Sequence, residues 1–589
     1  MIISSKKMYN KPMGKQMTNQ ELAVILDRIS ALLEIKGEVV FKIRAYQRAA
    51  ESLRSLAEEA QTLYSQNRLK EVPGIGKAIA EKIEELLKTG NLGFLQKLEA
   101  EIPTSLLELL QVPDLGPKKV ALFWKEAGIT NLEQLQAAAQ AGKLRGLPGM
   151  GEKSEARILA GLEALSRRSD RMTLGQAWHK AEEWLAWLRA QPETHQAEAA
   201  GSLRRERETI GDLDLVIASE NPTALMERFT QHPQVRRVRG EGENKSSVEL
   251  LDGLNIQIWI QPPARFGSLW QYATGSKAHN VHVRELAIKK GLSLSERGME
   301  DKQGTLLEFA TEEQVYAQLG MAWMPAEIRE DRGEVEASLK GRLPHLIEDS
   351  DLIANLHAHS TWSDGALSIE AMARSAIERG LKVLAITDHS RSLGVARGLK
   401  IADLHAQREE LRAVQAKLGG QLRLLHGSEV EILADGSLDF PDEELAQLDL
   451  VIASLHSSLR QPREIITARL IGAIRNPHVD IIGHPSGRLL PNREGADLDW
   501  EAVLQAARES GVALEINADP ERLDLNDVYA RRAIELGILL TINSDAHTAE
   551  ALDQIQFGVA VARRAWAAPE NVINTWEVER LMQWLQQRS

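Results

Sequence analysis

The sequence predicts a multidomain α and α/β protein that is helical at its front, mixed α/β in the middle and closed at its C-terminal end by a seven-stranded βα barrel. Three observations predict it. At 589 residues the chain is too long for a single core. Over the first ~170 residues apolar side chains recur at three- and four-residue spacing, as in NQELAVILDRISALLEI and FKIRAYQRAAESLRSLAEEAQTLY. From 351 onward strand-like and helix-like segments alternate, which calls for parallel strands joined by right-handed helical crossovers.

Composition narrows the class. The chain is 43% hydrophobic, and no apolar run reaches the ~20 residues of a membrane span, so no membrane partner is expected. The start, MIISSKKMYNKPMGKQM, has lysines but no apolar stretch; residues 1–16 read as a flexible tail, not a signal peptide. The absence of cysteine excludes disulfides and thiolate metal sites and fits a cytoplasmic location. A net charge of −13 counts against a general polyanion binder but leaves local basic patches free to meet DNA.

Within the helical front one pattern recurs three times: VPGIGKAIAEKI (72–83), VPDLGPKKVALFW (112–124) and LPGMGEKSEARIL (147–159). Each is a hydrophobic-Pro turn and a glycine-containing hairpin that opens an amphipathic helix. Gly74, Gly76, Gly116, Gly149 and Gly151 let the backbone turn tightly and leave N–H groups at a helix N-terminus, where the dipole favours a phosphate. One copy is explained as a packing element. Three helix-hairpin-helix copies point to a sequence-independent grip on a DNA backbone. Asp114 weakens the second copy by putting a negative charge near the phosphate.

From about 171 the texture changes to α/β. After the helix LGQAWHKAEEWLAWLRAQ come strands at HQAEAAGS, DLDLVIAS, QVRRVRGE, SSVELL and LNIQIWIQ. Asp212 and Asp214, at i and i+2, share one strand face, where two carboxylates can hold Mg²⁺ against a triphosphate. The plainer alternative is a solvent-facing acidic strand. The charged segment EDRGEVEASLKGRLPHLIEDSD (330–351) reads as a linker with little structure of its own.

The barrel strands are NLHAHS, VLAITDH, RLLHGSEVEI, LVIASLHS, DIIGHPSG, ALEINAD and LLTINSDAH, each ending in possible metal ligands or an acid. In order these are His357, His359 and Asp364; Asp388 and His389; Glu429 and Glu431; His456; His484; Glu515; Asp545 and His547. Strand C-termini of an α/β barrel converge on one rim, where active sites are built. A single histidine there is commonly structural, but six of the chain's 15 histidines sit in this pattern. Imidazole and carboxylate ligation without thiolates suits Zn²⁺, Mn²⁺ or Fe²⁺, and the ligands outnumber what one ion can use. Several ions ~3.5–4 Å apart would activate water and neutralise a phosphate.

On HAHSTWSDG, ITDHS with HGSE, the IASLHS and IIGHPSG histidines, and NSDAH, the region 351–589 resembles a PHP (polymerase and histidinol phosphatase) domain, a distorted seven-stranded βα barrel. The resemblance implies a multinuclear Mn²⁺ or Zn²⁺ site with nine ligands: His357, His359, Asp364, His389, Glu429, His456, His484, Asp545 and His547. Asp388, Glu431 and Glu515 then support the ligands, and His426 is a strand residue turned away from the site.

The front ~330 residues resemble a family X DNA polymerase, and the order of parts matches the bacterial and archaeal members that carry a C-terminal PHP domain. The marks are AGSLRRERETIGDLDLVI, similar to the family's GSxRRxxxxxGDxD, and YATGSKAHN at 272–280, similar to its thumb segment. This implies a lyase-like helical domain at 17–95, a fingers-like domain at 96–170, a nucleotidyltransferase (polymerase beta-like) palm at 171–268 and a thumb at 269–330. A linker at 331–350 and the PHP domain at 351–589 complete it. Asp212 and Asp214 would be catalytic and hold Mg²⁺. Ser202 and Arg205 would touch the triphosphate of a dNTP, and Tyr272, Gly275 and Asn280 its sugar and base side. Lys82 sits where the family has a Schiff-base lysine, with Lys42, Tyr46 and Lys77 as phosphate or orienting groups; a solvated helix lysine is the alternative.

The family's third aspartate falls on the strand at 254–260, where this chain has Gln257, and its usual arginine two residues on is Trp259. A glutamine amide is a weaker ligand and no base. Loss of such a carboxylate raises a barrier by roughly 4–6 kcal/mol. The resulting expectation is a DNA-repair protein with metal-dependent 3′→5′ exonuclease chemistry in the barrel and an impaired gap-filling polymerase core, acting on gapped or 3′-ended duplex. Two alternatives stay open: an active polymerase with both activities, or a DNA-binding module fused to a small-molecule phosphatase.

Overall fold

The computed structural model describes residues 17, 19–54, 60–72, 74–110, 112, 115–169 and 171–588. The expected tail over 1–16 and Asp114 of the second hairpin lie outside the described residues. The chain divides into two compact units, one holding 1–169 and 392–398 and the other 170–391 and 399–589.

The described part of the first unit is helical. In its opening helix, Asn19–Lys36, Leu22, Leu26, Ile29 and Leu33 are buried at the spacing of one helix face and enter a core with Leu53, Ile83 and Phe123. Gly76 and Gly116 cap the helices Lys77–Thr89 and Pro117–Ala127 with no side-chain hydrogen bond, and Gly151 precedes Glu152–Ser169. Gly74 and Gly149 turn at φ +84 and +72, which suits glycine and strains other residues.

The second unit begins with a five-stranded mixed sheet of β1 (Gln196–Ala199), β2 (Asp212–Ala218), β3 (Val235–Glu241), β4 (Lys245–Leu250) and β5 (Asn255–Gln261). The order is β1-β2-β5-β4-β3. β2 and β5 run parallel with Asp214 opposite Gln257. Alternation sends Leu213, Leu215 and Ile217 into a core with Ala177, Ala181 and Trp184 of helix Leu174–Arg189. The other face packs Val216 and Ala218 on Phe266 and Leu269 of helix Phe266–Thr274.

Beyond that sheet a small core of Val283, Met299, Tyr316 and Met324 also takes in Val335 and Leu346. The stretch expected to be a linker with little structure of its own therefore contributes to a core. It carries the helix Glu334–Leu339, and the buried Glu334 accepts from the backbone N–H groups of Asp331 and Arg332 and meets His279 Nδ1 at 2.7 Å. Its charge density misled because Val335, Leu346 and Ile347 are buried and the buried carboxylate has partners.

The C-terminal sheet contains β6 (Ala354–Asn355), β7 (Val383–Ile386), β8 (Arg423–Glu431), β9 (Leu450–Ser454), β10 (Ile481–Gly483), β11 (Ala513–Asn517) and β12 (Leu540–Asn543). All seven are parallel and pair in sequence order, and a parallel bridge from Ala358 to Ala546 joins the two edges just past β6 and β12. The strands are buried on both faces apart from Arg423, as parallel sheets covered by helices are.

Candidate metal centre

The C-terminal ends of the barrel strands bring all nine predicted donors into one cluster. Glu429, fully buried at the end region of β8, is its hub. Its Oε1 lies 2.7 Å from His484 Nε2 and 3.2 Å from His456 Nε2, and its Oε2 lies 2.9 Å from His389 Nδ1 and 3.4 Å from His357 Nε2. Asp545 Oδ1 approaches His359 Nε2 at 2.9 Å and His357 Nε2 at 3.5 Å. Asp364 Oδ1 approaches His547 Nε2 at 3.2 Å and His389 Nε2 at 3.6 Å. Three overlapping groups have donor atoms within 4.8 Å of one another: His359, Asp364, His389 and His547; His357, His359 and Glu429; and His389, Glu429 and His456.

The donor set fits divalent metal. Both oxygens of Glu429, Oδ1 of Asp545, and ring nitrogens of His357, His359, His389, His456 and His484 are buried with no hydrogen-bond partner. Buried polar atoms are ordinarily bonded, because each unpaired one costs about 1–3 kcal/mol. So many in one place are lone pairs aimed at common centres. The group is graded in depth: His357 and Glu429 are fully buried, while Asp364 and His547 at the outer end are about a third exposed.

Groups behind the ligands set their orientation. Glu515 Oε1 accepts from His357 Nδ1 at 2.7 Å and Glu431 Oε2 from His456 Nδ1 at 2.7 Å; the carbonyl of Asp545 accepts from His547 Nδ1 at 2.8 Å. A carboxylate can only accept, so Nδ1 carries a proton and Nε2 is the nitrogen turned inward, able to ligate once it is unprotonated. Asp388 accepts from the Ser360 N–H and hydroxyl at 2.8 and 2.6 Å, pinning the loop between His359 and Asp364. His426 points elsewhere, to Gln407 at 3.2 Å, and burial with Arg408 and Arg412 nearby pushes it down to about 3. Burial lowers His456, but Glu429 and Glu431 outweigh it and raise it to about 9. Burial disfavours the Glu429 carboxylate, yet His456, His389, His357 and His484 hold its pKa well below the usual range.

In the five-stranded sheet the arrangement differs. Asp212 is exposed; Asp214 is half-buried, and its Oδ1 accepts a 2.8 Å hydrogen bond from Gln257 Nε2. Burial and the neighbouring Asp212 push Asp214 up to about 6. A Cβ on Gly201 would lie 2.1 Å from Asp214 Oδ2, so only glycine fits against that carboxylate. Trp259 carries Lys245 Nζ 3.9 Å from its ring centroid and meets the Tyr272 ring edge-on at 6.0 Å.

The predicted nucleotide-contacting residues are near this sheet but are mostly engaged. Ser202 is partly buried at the start of the segment that carries Arg205. Arg205 pairs with Glu330 at 3.1 Å and donates to the Thr274 carbonyl next to Gly275. Asn280 is buried, accepting from Gln271 at 2.8 Å and donating to the Tyr272 carbonyl at 2.7 Å. In the first unit Lys82 Nζ lies 4.9 Å from the Phe94 ring centroid, Lys42 shares that ring at 5.7 Å, and Tyr46 stacks on it at 6.1 Å; Lys77 is exposed. Gly76, Gly116, Gly149 and Gly151 have open space where a Cβ would go.

Sequence reading missed two features. Glu312 accepts bidentately from both Arg204 and the fully buried Arg329, a charge cluster dispersed over more than a hundred residues of sequence. Arg522, in the loop after β11, has Nε 3.7 Å from Asp545 Oδ2. Its position at the ligand end of a barrel strand was the available signal.

Comparison with known proteins fits this layout. Residues 17–92 match a helix-hairpin-helix domain, 106–164 a SAM-like helix-hairpin-helix tandem, 269–330 a DNA polymerase beta thumb and 355–519 a PHP domain. The DNA polymerase/3′-5′ exonuclease PolX of Bacillus subtilis (strain 168) is 38% identical over 561 residues, 95% of this chain and 97% of that protein. The chain belongs to the PolX family. Relatives of a second kind match a shorter part of the chain. A probable phosphatase of Thermoanaerobacter sp. (strain X514) is 32% identical over 249 residues, 40% of the PolX chain and 96% of the phosphatase. A probable phosphatase of Aliivibrio fischeri (strain ES114) is 29% identical over 236 residues, 38% of the chain and 90% of the phosphatase. No helix among the described residues is long and apolar enough to cross a membrane.

Proposed function

We propose that this PolX chain is a DNA-repair enzyme whose working chemistry is 3′→5′ exonucleolytic phosphoester hydrolysis by the barrel. One observation carries the reading: imidazole and carboxylate donors converge at the strand ends, and seven of the nine, all but Asp364 and His547, have buried ring nitrogens or carboxylate oxygens with no hydrogen-bond partner. Bound Mn²⁺ or Zn²⁺ would supply Lewis acidity and an activated water at the phosphorus. The chain's own part is to hold the donors: Glu515 and Glu431 keep protons on Nδ1, Asp388 anchors the His359–Asp364 loop, and the outer group of His359, Asp364, His389 and His547 receives the phosphate. Helix N-termini at Gly76, Gly116 and Gly151 supply N–H groups to the backbone of gapped or 3′-ended duplex. In the same reading residues 171–268 act as a palm, with Asp212 and Asp214 offering Mg²⁺ and dNTP a platform that Gln257 leaves short of a carboxylate. Lys82 beside Lys42 on Phe94 is the Schiff-base lysine of a lyase-like domain over 17–95.

A second reading, an active gap-filling polymerase, is favoured by the similarity to the Bacillus protein across nearly the whole chain. One assay separates them: 5′-labelled gapped duplex with Mn²⁺, with and without dNTPs. Shortening in both conditions supports the exonuclease reading. Template-directed lengthening that Asp214→Ala abolishes supports the polymerase, and neither change overturns both.

A further inference from the structure

Arg493, Arg488 and Arg469 lie near the ligand ends of the barrel strands, and each is engaged by hydrogen bonds. Arg493 donates to the Gly487 carbonyl at 2.8 and 3.1 Å. Arg488 donates to the carbonyls of Arg522 and Leu523 and pairs with Glu208. Arg469 donates to the carbonyls of Ile432 and Ser457. Arg522 is different. Its side chain is only 18% exposed, its Nη1 is buried without a hydrogen-bond partner, and its Nε stands 3.7 Å from Asp545 Oδ2, beyond hydrogen-bond reach.

The backbone beside it is built at a cost. Leu523, fully buried, adopts φ +45, a conformation that strains a leucine. The strained turn is held by the Leu523 N–H on the Asp519 carbonyl at 2.9 Å and by the two bonds from Arg488. Asp545 itself turns its other oxygen to His359. The turn thus fixes a guanidinium beside one carboxylate of the donor cluster, with a donor to spare.

We propose that Arg522 grips a non-bridging oxygen of the substrate phosphate at the barrel site. A planar guanidinium matches two phosphate oxygens and stays charged at any working pH, so it adds a fixed positive charge beside the carboxylates of Asp364, Glu429 and Asp545. The assignment rests on the hydrolytic reading of the barrel.

The test uses the full-length protein loaded with Mn²⁺, with metal content by elemental analysis and binding of thymidine 5′-monophosphate and inorganic phosphate by calorimetry; thymidine, which lacks the phosphate, is the blank. Arg522→Gln should keep its metal and bind both phosphate ligands roughly ten- to a hundredfold more weakly, as loss of a charge-assisted hydrogen bond does. Arg522→Lys should recover part of that loss, which also guards against a folding defect in the glutamine variant. Unchanged affinity in Arg522→Gln overturns the assignment. So does a loss of metal that accounts for the weaker binding, since Arg522 would then only balance Asp545. Wild-type protein that holds metal yet binds neither ligand overturns the hydrolytic reading itself.

Discussion

The two acidic sites of the second unit start from the same material, carboxylates at the ends or on the faces of parallel strands, and end in opposite electrostatic states. In the barrel, hydrogen-bond partners lie behind the ligands: Glu515 behind His357, Glu431 behind His456, and backbone carbonyl behind His547. The inner lone pairs stay unpaired. On β2 the carboxylate is itself engaged, because Gln257 donates its amide to Asp214 Oδ1. The comparison teaches that the number of acids matters less than which side of each acid is already satisfied.

The strongest way to break this comparison is to remove a barrel donor shared by two groups. His359→Ala should lower nuclease turnover by at least about a thousandfold while binding of gapped duplex, measured by anisotropy, is unchanged. Retained turnover would show that the cluster is not the engine. A milder cut removes a group behind a ligand. Glu431→Gln should weaken Mn²⁺ affinity about 10–100-fold, read by competition with a chelator. Wild-type metal affinity should also climb between pH 6 and 9, because His456 and His547, both raised to about 9, must shed protons before they can bind metal.

The comparison can be sharpened from the other side by turning the β2 site into the barrel's pattern. Gln257→Asp replaces the blocking donor with an acceptor and should raise primer extension at least tenfold, about 1.4 kcal/mol off the barrier, with nuclease activity unaltered. The smallest effect is on stability. Asp214 is raised from its usual range to about 6, so the folded state binds the proton more tightly than the unfolded chain and stability falls as pH rises through 4 to 6. In EDTA, Asp214→Asn should therefore melt higher than wild type at pH 7.5 and show no advantage at pH 3.5. Equal melting at pH 7.5 would mean the carboxylate is not strained there.

Legibility followed the length scale of each interaction. The alternating pattern of DLDLVIAS and NIQIWIQ was enough to place Asp212, Asp214 and Gln257 on one face, since strand periodicity is a local property. Histidines and acids closing successive barrel strands were readable for the same reason: parallel strands share a direction, so their ends meet. The 331–350 stretch was misread because its folding depends on remote partners, His279 for Glu334 and the thumb core for Val335 and Leu346.

By itself, then, the sequence determined which residues face each site, because faces and strand ends follow from backbone periodicity. Only the tertiary structure decided what those residues are free to do. The direction of the Gln257 amide toward Asp214, the commitment of Arg205 to Glu330 and of Asn280 to Gln271, and the unsatisfied Nη1 of Arg522 each depend on contacts between segments distant in the chain or on a turn held by them. A hydrogen bond is satisfied or left open only within a few tenths of an ångström, and that precision comes from packing rather than from pattern.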